Sequence, residues 1–393
     1  MEFVSRKVND LPPYLFSKIQ EKKEALQAKG MDVIDLGIGA PDLPTPTFII
    51  DKLIREMKIP ANHRYSSYSG CREFREAVVH FYKQRYGVTL HPDEEVLTLI
   101  GSKEGIANLV QTVINPGDYV LVPDPGYPVY RTAVHLANGI TVDLPLDAEN
   151  GYVPIYSKLT AEQKEKAKLM FLNYPSNPTT ATIQINTLLE AVTFAKENNM
   201  LVVNDMAYDL VTFADYESPS ILQVPHAKDR AIEFGSLSKS FNMTGWRIGY
   251  VVGNKDVIQA LAALKSNIDT SQFLPIQKAA ADALKSDFSH VKQHAAIFER
   301  RMEKLYQALH ELGIRVDKPR GTIFLWAKVP NSYTSIAFTD KLLEEAGIVV
   351  TPGNAFGPSG EGYIRISLSV SEDRLDEVIR RLHLLDLKGE QAT

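Results

Sequence analysis

Lys239 lies in the stretch Gly235-Ser-Leu-Ser-Lys-Ser-Phe-Asn-Met-Thr-Gly-Trp-Arg-Ile-Gly-Tyr250, flanked by small hydroxyl residues and followed eight positions later by Arg247. Short β-type runs at 231–234 and 248–252 bracket it, which predicts that much of the intervening loop is drawn inside. A buried amine needs a chemical reason, because removing a cation from water without a partner is costly. One such reason is covalent: a lysine held unprotonated attacks carbonyl carbon and forms a Schiff base with an aldehyde. Ser236 and Arg247 then offer a hydroxyl and a guanidinium to a phosphate carried by the same molecule. Alone, the stretch also fits a solvated basic loop, so the case rests on what other elements bring to the same place.

Those elements alternate. Residues 96–100, 119–122, 169–172, 201–203, 231–234 and 248–252 are short apolar runs rich in β-branched side chains, with helical spacing at 103–115, 188–198 and 255–265. This is the pattern of a mostly parallel sheet covered by helices on both faces, an α/β fold whose ligands bind outside the carboxyl ends of the strands. The polar residues after each run therefore converge: Ser102 and Lys103, then 124–127, 173–177, 205–208 and 236–239.

Their chemistry is coherent. The Gly101-Ser102 turn feeds a helix, so unpaired amide N–H groups and the helix dipole meet where a phosphate would be stabilised. Asp205 follows an apolar run directly and needs a cationic or donating partner, which a pyridinium nitrogen would be. Tyr208 and Asn177 can donate to a phenolate oxygen, and Tyr127, in Asp-Pro-Gly-Tyr-Pro, offers a flat face to a ring. Singly, Asp205 also reads as a helix cap, Asn177 as turn chemistry and Tyr127 as packing.

Upstream, 14–28 is helical in pattern, and 32–42 reads as a strand breaking into a loop with Gly37 and Gly39. Phe74, Ala77, Val78, Phe81 and Tyr82 predict an amphipathic helix over 71–86, preceded by an aromatic and hydroxyl loop with Tyr65 and Tyr68. After about 285 the texture becomes mixed: helices at 288–312 and 335–346, a run at 321–326, strands at 348–350 and 363–367, and a last helix from Ser371. This predicts a smaller α+β domain holding Arg365.

Composition bounds the rest. A chain of 393 residues suggests two domains, and 44% hydrophobic with 23% charged residues is a globular balance. A net charge of -5 without a long Lys/Arg block argues against nucleic acid. The single cysteine, Cys71, and the lack of CxxC or His/Cys pairs exclude a disulfide framework and a thiolate metal site, as in a reducing cytoplasm. No stretch approaches the ~18 apolar residues of a membrane span, and Met-Glu-Phe-Val-Ser-Arg-Lys lacks the apolar core of a signal peptide.

With these residues in place, the chain resembles the class I/II aminotransferases, pyridoxal-phosphate enzymes of fold type I, over nearly its whole length. The segment Ser236-Leu-Ser-Lys-Ser-Phe-Asn-Met-Thr-Gly-Trp-Arg-Ile-Gly249 is similar to their cofactor-lysine signature. The resemblance implies a large pyridoxal 5'-phosphate domain at 46–285 with a mostly parallel seven-stranded-type sheet, an arm at 1–45 joining the small domain, and a small domain at 286–393. It implies that Lys239 forms the Schiff base, that Ser102, Lys103, Ser236 and Arg247 bind phosphate, and that Asp205 pairs with the ring nitrogen. Tyr208 and Asn177 would meet the ring oxygen, and Tyr127 the ring face. It further implies a homodimer in which Tyr65 reaches the neighbour's phosphate, Arg365 clamping the substrate carboxylate, and Gly39 beside it. Where the family has Asn-Pro-Thr-Gly, this chain reads Asn177-Pro-Thr-Thr180, so a turn needing positive φ must adjust. Motifs such as Leu-Ile-Gly-Ser-Lys-Glu-Gly-Ile and Leu-Lys-Ser-Asn-Ile-Asp resemble the LL-diaminopimelate aminotransferase branch, which also includes enzymes for glutamine, methionine-related, alanine or aspartate substrates with acceptors such as 2-oxoglutarate. A carbon–sulfur β-lyase on the same fold is the alternative.

Overall fold

The computed structural model describes residues 3–11 and 15–385. In chain order its strands are β1 (Ile34–Asp35), β2 (Val96–Leu99), β3 (Tyr119–Asp124), β4 (Ile140–Pro145), β5 (Ala167–Asn173), β6 (Leu201–Asp205), β7 (Ala231–Ser236), β8 (Gly249–Gly253), β9 (Phe324–Lys328), β10 (Ile348–Val349), β11 (Thr351–Pro352) and β12 (Tyr363–Ser367). Seven form one sheet in the order β2-β8-β7-β6-β5-β3-β4. Within it β7–β6, β6–β5, β5–β3 and β3–β4 are parallel. Only β8 is reversed, antiparallel to both β2 and β7.

Strands with apolar residues on both faces need cover on both, and two separate clusters supply it. On one face Leu121, Met170, Val202 and Tyr250 pack with Phe74, Phe81, Leu188 and Ala280, from the helices Arg72–Tyr86, Ile185–Glu197 and Leu274–Leu284. On the other, Val120, Phe171, Val203 and Phe234 meet Ile106, Tyr130 and Leu261, from Ser102–Val113, Val129–Leu136 and Lys255–Ser266. The sequence reading misses β4, whose Ile-Thr-Val-Asp-Leu-Pro alternates because it is the sheet edge and half exposed. The helix expected at 14–28 is Leu15–Ala28; Tyr14 lies outside the described residues.

A second core gathers Ile34 and Leu36 with Phe298, Met302, Phe324, Phe338, Ile366 and Leu375. There β1 pairs with β10, and β9, β12 and β11 form an antiparallel sheet. The chain crosses between the cores at two tethered points. Arg301, 4% exposed, makes a two-pronged contact with Asp42 at 2.7 and 3.0 Å. Asn242 donates to Pro44 O, meets His294 Nδ1 at 2.6 Å, and accepts the Thr45 hydroxyl on its carbonyl.

The reversed strand decides what reaches the site. All the other strands of the main sheet aim their carboxyl ends at one edge, whereas β8 presents its amino end there. Arg247, which precedes β8, thus arrives beside Ser102, Asn173, Asp205 and Ser236. The Ser102 helix is pressed onto the sheet at Gly105, where an added Cβ would lie 2.4 Å from Leu99 Cδ1 and 2.9 Å from the Phe234 ring. Gly105→Val should therefore cost about 3 kcal/mol as overpacking, read as a lowered urea midpoint with unchanged m-value.

Candidate active site

β7 ends at Ser236, whose hydroxyl oxygen accepts the amide N–H of Ser238 at 3.2 Å and starts the single turn Leu237–Ser240. That turn aims Lys239 into a cavity of about 1160 Å³ between the two cores. Its Nζ donates to the carbonyl of Gly39 at 2.5 Å. Burial first, then the positive charges of Arg365 and Arg247, lower the amine to about 8, so about a tenth of it is neutral at pH 7, far more than for an ordinary lysine. The expected burial holds for the first part of the loop, but Gly245 and Arg247 are exposed.

Asp205, the last residue of β6, is 3% exposed. Tyr130 donates its hydroxyl to Oδ2 at 2.8 Å, while Oδ1 is buried with no hydrogen-bond partner among the described residues. Burial raises the carboxyl to about 6, with Tyr130 acting in the opposite sense. Tyr130 escaped the sequence reading; its signal is the three-residue spacing from Tyr127, which makes them neighbours on a helix start, and their rings meet edge-on at 5.8 Å. Asn173 donates to Asp205 O and accepts the amide of Asn177, both at 2.8 Å.

Arg365 enters from β12. It donates to Asn177 Oδ1 at 2.9 Å and to Gly37 O at 2.8 Å, and its guanidinium lies between the rings of Phe324 (4.2 Å) and Phe356 (4.8 Å). With Oδ1 occupied, the Asn177 amide is oriented as a donor. Both rings escaped the sequence reading as an arginine sandwich, Phe324 because it lies far from Arg365 in the chain and Phe356 because it sits across a turn on a separate element. Tyr208 is buried, and its ring meets Phe324 at 5.7 Å.

At the other end of the cavity Gly101 opens the Ser102 helix with φ 75°, a backbone that favours glycine. A Cβ there would lie 2.3 Å from Arg247 Nη2, so turn and guanidinium are in contact. Ser102, Lys103, Tyr127, Asn177, Asp205, Tyr208, Ser236, Lys239, Arg247, Gly39 and Arg365 all line this one cavity. Tyr65 does not: its side chain stands 89% exposed on the surface. The turn after Asn177 does not adjust to its threonine. Thr180 keeps φ 61° while 5% exposed, and its amide donates to Ser176 O at 3.0 Å, so a β-branched residue bears left-handed strain of about 1–2 kcal/mol.

The family profile described as aminotransferase class I and II matches residues 31–382. The chain belongs to that family. It is 45% identical to LL-diaminopimelate aminotransferase from Moorella thermoacetica over 378 residues, 96% of this chain and 97% of that one. Among solved structures, substrate-bound BacF from Bacillus subtilis superposes with a TM-score of 0.95 at 40% identity, covering 99% of both chains. An aspartate aminotransferase mutant from Thermus thermophilus gives 0.91 at 28%, covering 98% of this chain and 100% of that one. These relatives support amino-group exchange rather than carbon–sulfur cleavage, and they carry fold type I.

Aminotransferases of this family use pyridoxal 5'-phosphate, and the residues present fit it. A desolvated carboxylate oxygen without a partner suits a protonated ring nitrogen, a partly neutral buried amine suits an aldehyde, and helix amides beside a guanidinium suit a phosphate. Among the described residues no His/Cys/Asp/Glu group could hold a metal, and no helix is long and apolar enough to cross a membrane.

In the cofactor-free aminotransferase the folded chain holds the Asp205 proton to about 6, against 3.8 as the ordinary value. Stability should therefore fall as pH rises from about 4 to about 6, by about 3 kcal/mol in full. Asp205→Asn removes that dependence. Urea unfolding of both proteins across the range should show wild type losing ground to the variant; a gap that stays constant with pH would remove the assignment.

Proposed function

We propose that this aminotransferase moves the amino group of LL-diaminopimelate or a related L-amino acid to a 2-oxo acid such as 2-oxoglutarate, in two half-reactions at one site. The observation carrying the reading is that Lys239, Asp205 and Arg365 line one cavity with the amine shifted down and the carboxyl shifted up. The names of relatives about 45% identical over nearly the whole chain favour diaminopimelate.

Ser102, the amides of its helix start, Lys103, Ser236 and Arg247 would hold the cofactor's phosphate, Asp205 would pair with its ring nitrogen, Tyr208 and the Asn177 amide would donate to its ring oxygen, and Tyr127 would pack on its ring. When bound, the cofactor supplies an electron sink that makes the proton on the substrate's α-carbon removable. Lys239 Nζ would take that proton, its lowered pKa keeping part of the amine neutral near pH 7. Arg365 gives the α-carboxylate two parallel N–H donors, and Phe324 and Phe356 fix the plane of the fork. Gly39, whose carbonyl already meets Lys239, lies beside the carboxylate. The assembly is a cytoplasmic homodimer, in which the exposed Tyr65 would be free to reach the phosphate of the neighbouring site.

Lys239→Ala should retain cofactor noncovalently and lose at least about 10³-fold in amino transfer, with addition of a small amine restoring part of it. Borohydride should label residue 239 in wild type only; a labelled Ala variant would overturn the assignment. Arg365→Lys should raise KM for the amino acid about 10²-fold while leaving the cofactor spectrum unchanged, since a point charge cannot reproduce the fork. Initial rates with diaminopimelate and 2-oxoglutarate should give parallel double-reciprocal lines. Failure of diaminopimelate in a panel where another amino acid reacts would shift the substrate, not the reaction.

A further inference from the structure

Beneath the phosphate end of the cavity lies a chain of buried and half-buried polar groups that the reaction does not touch. Lys265 is fully buried, and its ammonium donates to both carboxylate oxygens of Asp269, at 2.5 and 2.6 Å. Asp269 Oδ1 accepts the amide of Ser271 at 2.8 Å, and Ser271, at φ 66°, donates its hydroxyl to Gln272 Oε1 at 2.9 Å. Gln277, also fully buried, donates to the Gln272 carbonyl at 2.6 Å. Backbone and side-chain oxygen of Gln272 are thus both fixed, and so is the direction of its amide.

That amide spans two strands. Gln272 Nε2 donates to Leu99 O at 2.5 Å and to Arg247 O at 2.8 Å. The β2–β8 ladder stops at the pair Leu99 and Gly249, and immediately past it come the Gly101-Ser102 turn on one chain and Arg247 on the other. Arg247 sits in the left-handed region at φ 55°, a conformation that a bulky residue keeps only when its surroundings hold it. The same buried cluster reaches the turn from the other side: Lys265 lies 3.6 Å from Glu104, whose Oε2 accepts the amide of Ile100 at 3.0 Å.

We propose that Gln272 is a positioning residue for the cofactor phosphate: by bridging the carbonyls of Leu99 and Arg247 it sets the amide-lined turn and the guanidinium as one rigid cradle. The inference rests on the reading that Ser102 and Arg247 hold the phosphate. A side chain of similar shape without donors, as in Gln272→Met, keeps the packing and releases both carbonyls.

The test compares pyridoxal 5'-phosphate with pyridoxal. The full chain, freed of cofactor, is titrated with each, binding being read from the absorbance of the bound form. Gln272→Met should weaken pyridoxal 5'-phosphate about tenfold and pyridoxal less than about twofold. Equal weakening of both ligands, or of neither, overturns the proposal, because a general loss of structure does not select for phosphate. Arg247→Gln is run alongside. If it lowers the phosphate preference and Gln272→Met does not, the positioning role falls while the phosphate site stands; if neither lowers it, the phosphate site itself falls. Should Gln272→Met fail to fold, Ser271→Ala, which removes only the anchor of the Gln272 amide, is expected to lower the same preference to a smaller degree, and an unchanged preference there overturns the proposal.

Discussion

Water withheld from two ionisable groups at the ends of β6 and β7 is the constraint under which the rest of this molecule is arranged. Asp205 is pushed toward its acid form and Lys239 toward its free amine, so each is nearer neutrality than in solution. Tyr130 satisfies one carboxylate oxygen and leaves the other open. Such an arrangement lowers stability locally, and two large apolar clusters against the main sheet offset it. What remains is a cavity with an open carboxylate oxygen at Asp205, suited to a positively charged ring nitrogen, and an amine at Lys239 suited to an aldehyde.

The second core completes the site from the opposite side. Arg365 on β12 donates to Asn177, which follows β5, so an arginine of one core is fastened to a turn of the other. Phe324 lies under the same guanidinium and against the ring of Tyr208, so the packing of the second core takes in a residue that follows β6 of the main sheet. Asn242, three residues beyond Lys239, ties both crossings of the chain between the cores. A displacement of the second core would therefore be felt at Arg365 and beside Lys239 together.

The sheet and most cavity residues were legible because parallel strands buried on both faces write themselves as short apolar runs, and the polar residue after each run has one place to go. Lys239, Asp205 and Asn177 follow from that rule, whereas Arg247 precedes its strand and reaches the same edge only because β8 is reversed. Other features leave no such mark. β4 is an edge strand with Thr141 and Asp143 turned outward, so its run is interrupted. Tyr130 resembles any core aromatic until the carboxylate above it is seen. The sandwich around Arg365 joins residues more than forty positions apart at Phe324, a contact that no local periodicity encodes. Thr180 shows the converse: sequence suggested an altered turn, but the packing of the neighbouring cores holds a strained threonine in the shape glycine would take.

The reversal of β8 has a consequence for the opposite rim. The main sheet brings its cavity residues to one edge, and the short connections at the other edge, around Asn138, Asn199, His226 and Asn254, do not line the cavity. Two of them are joined, with Asn254 donating to the carbonyls of Lys228 and Asp229. Grafted peptides or fused modules are best accommodated at the exposed turns at Asn138 and Asn199, where lengthening the loop leaves the reacting end of the sheet undisturbed.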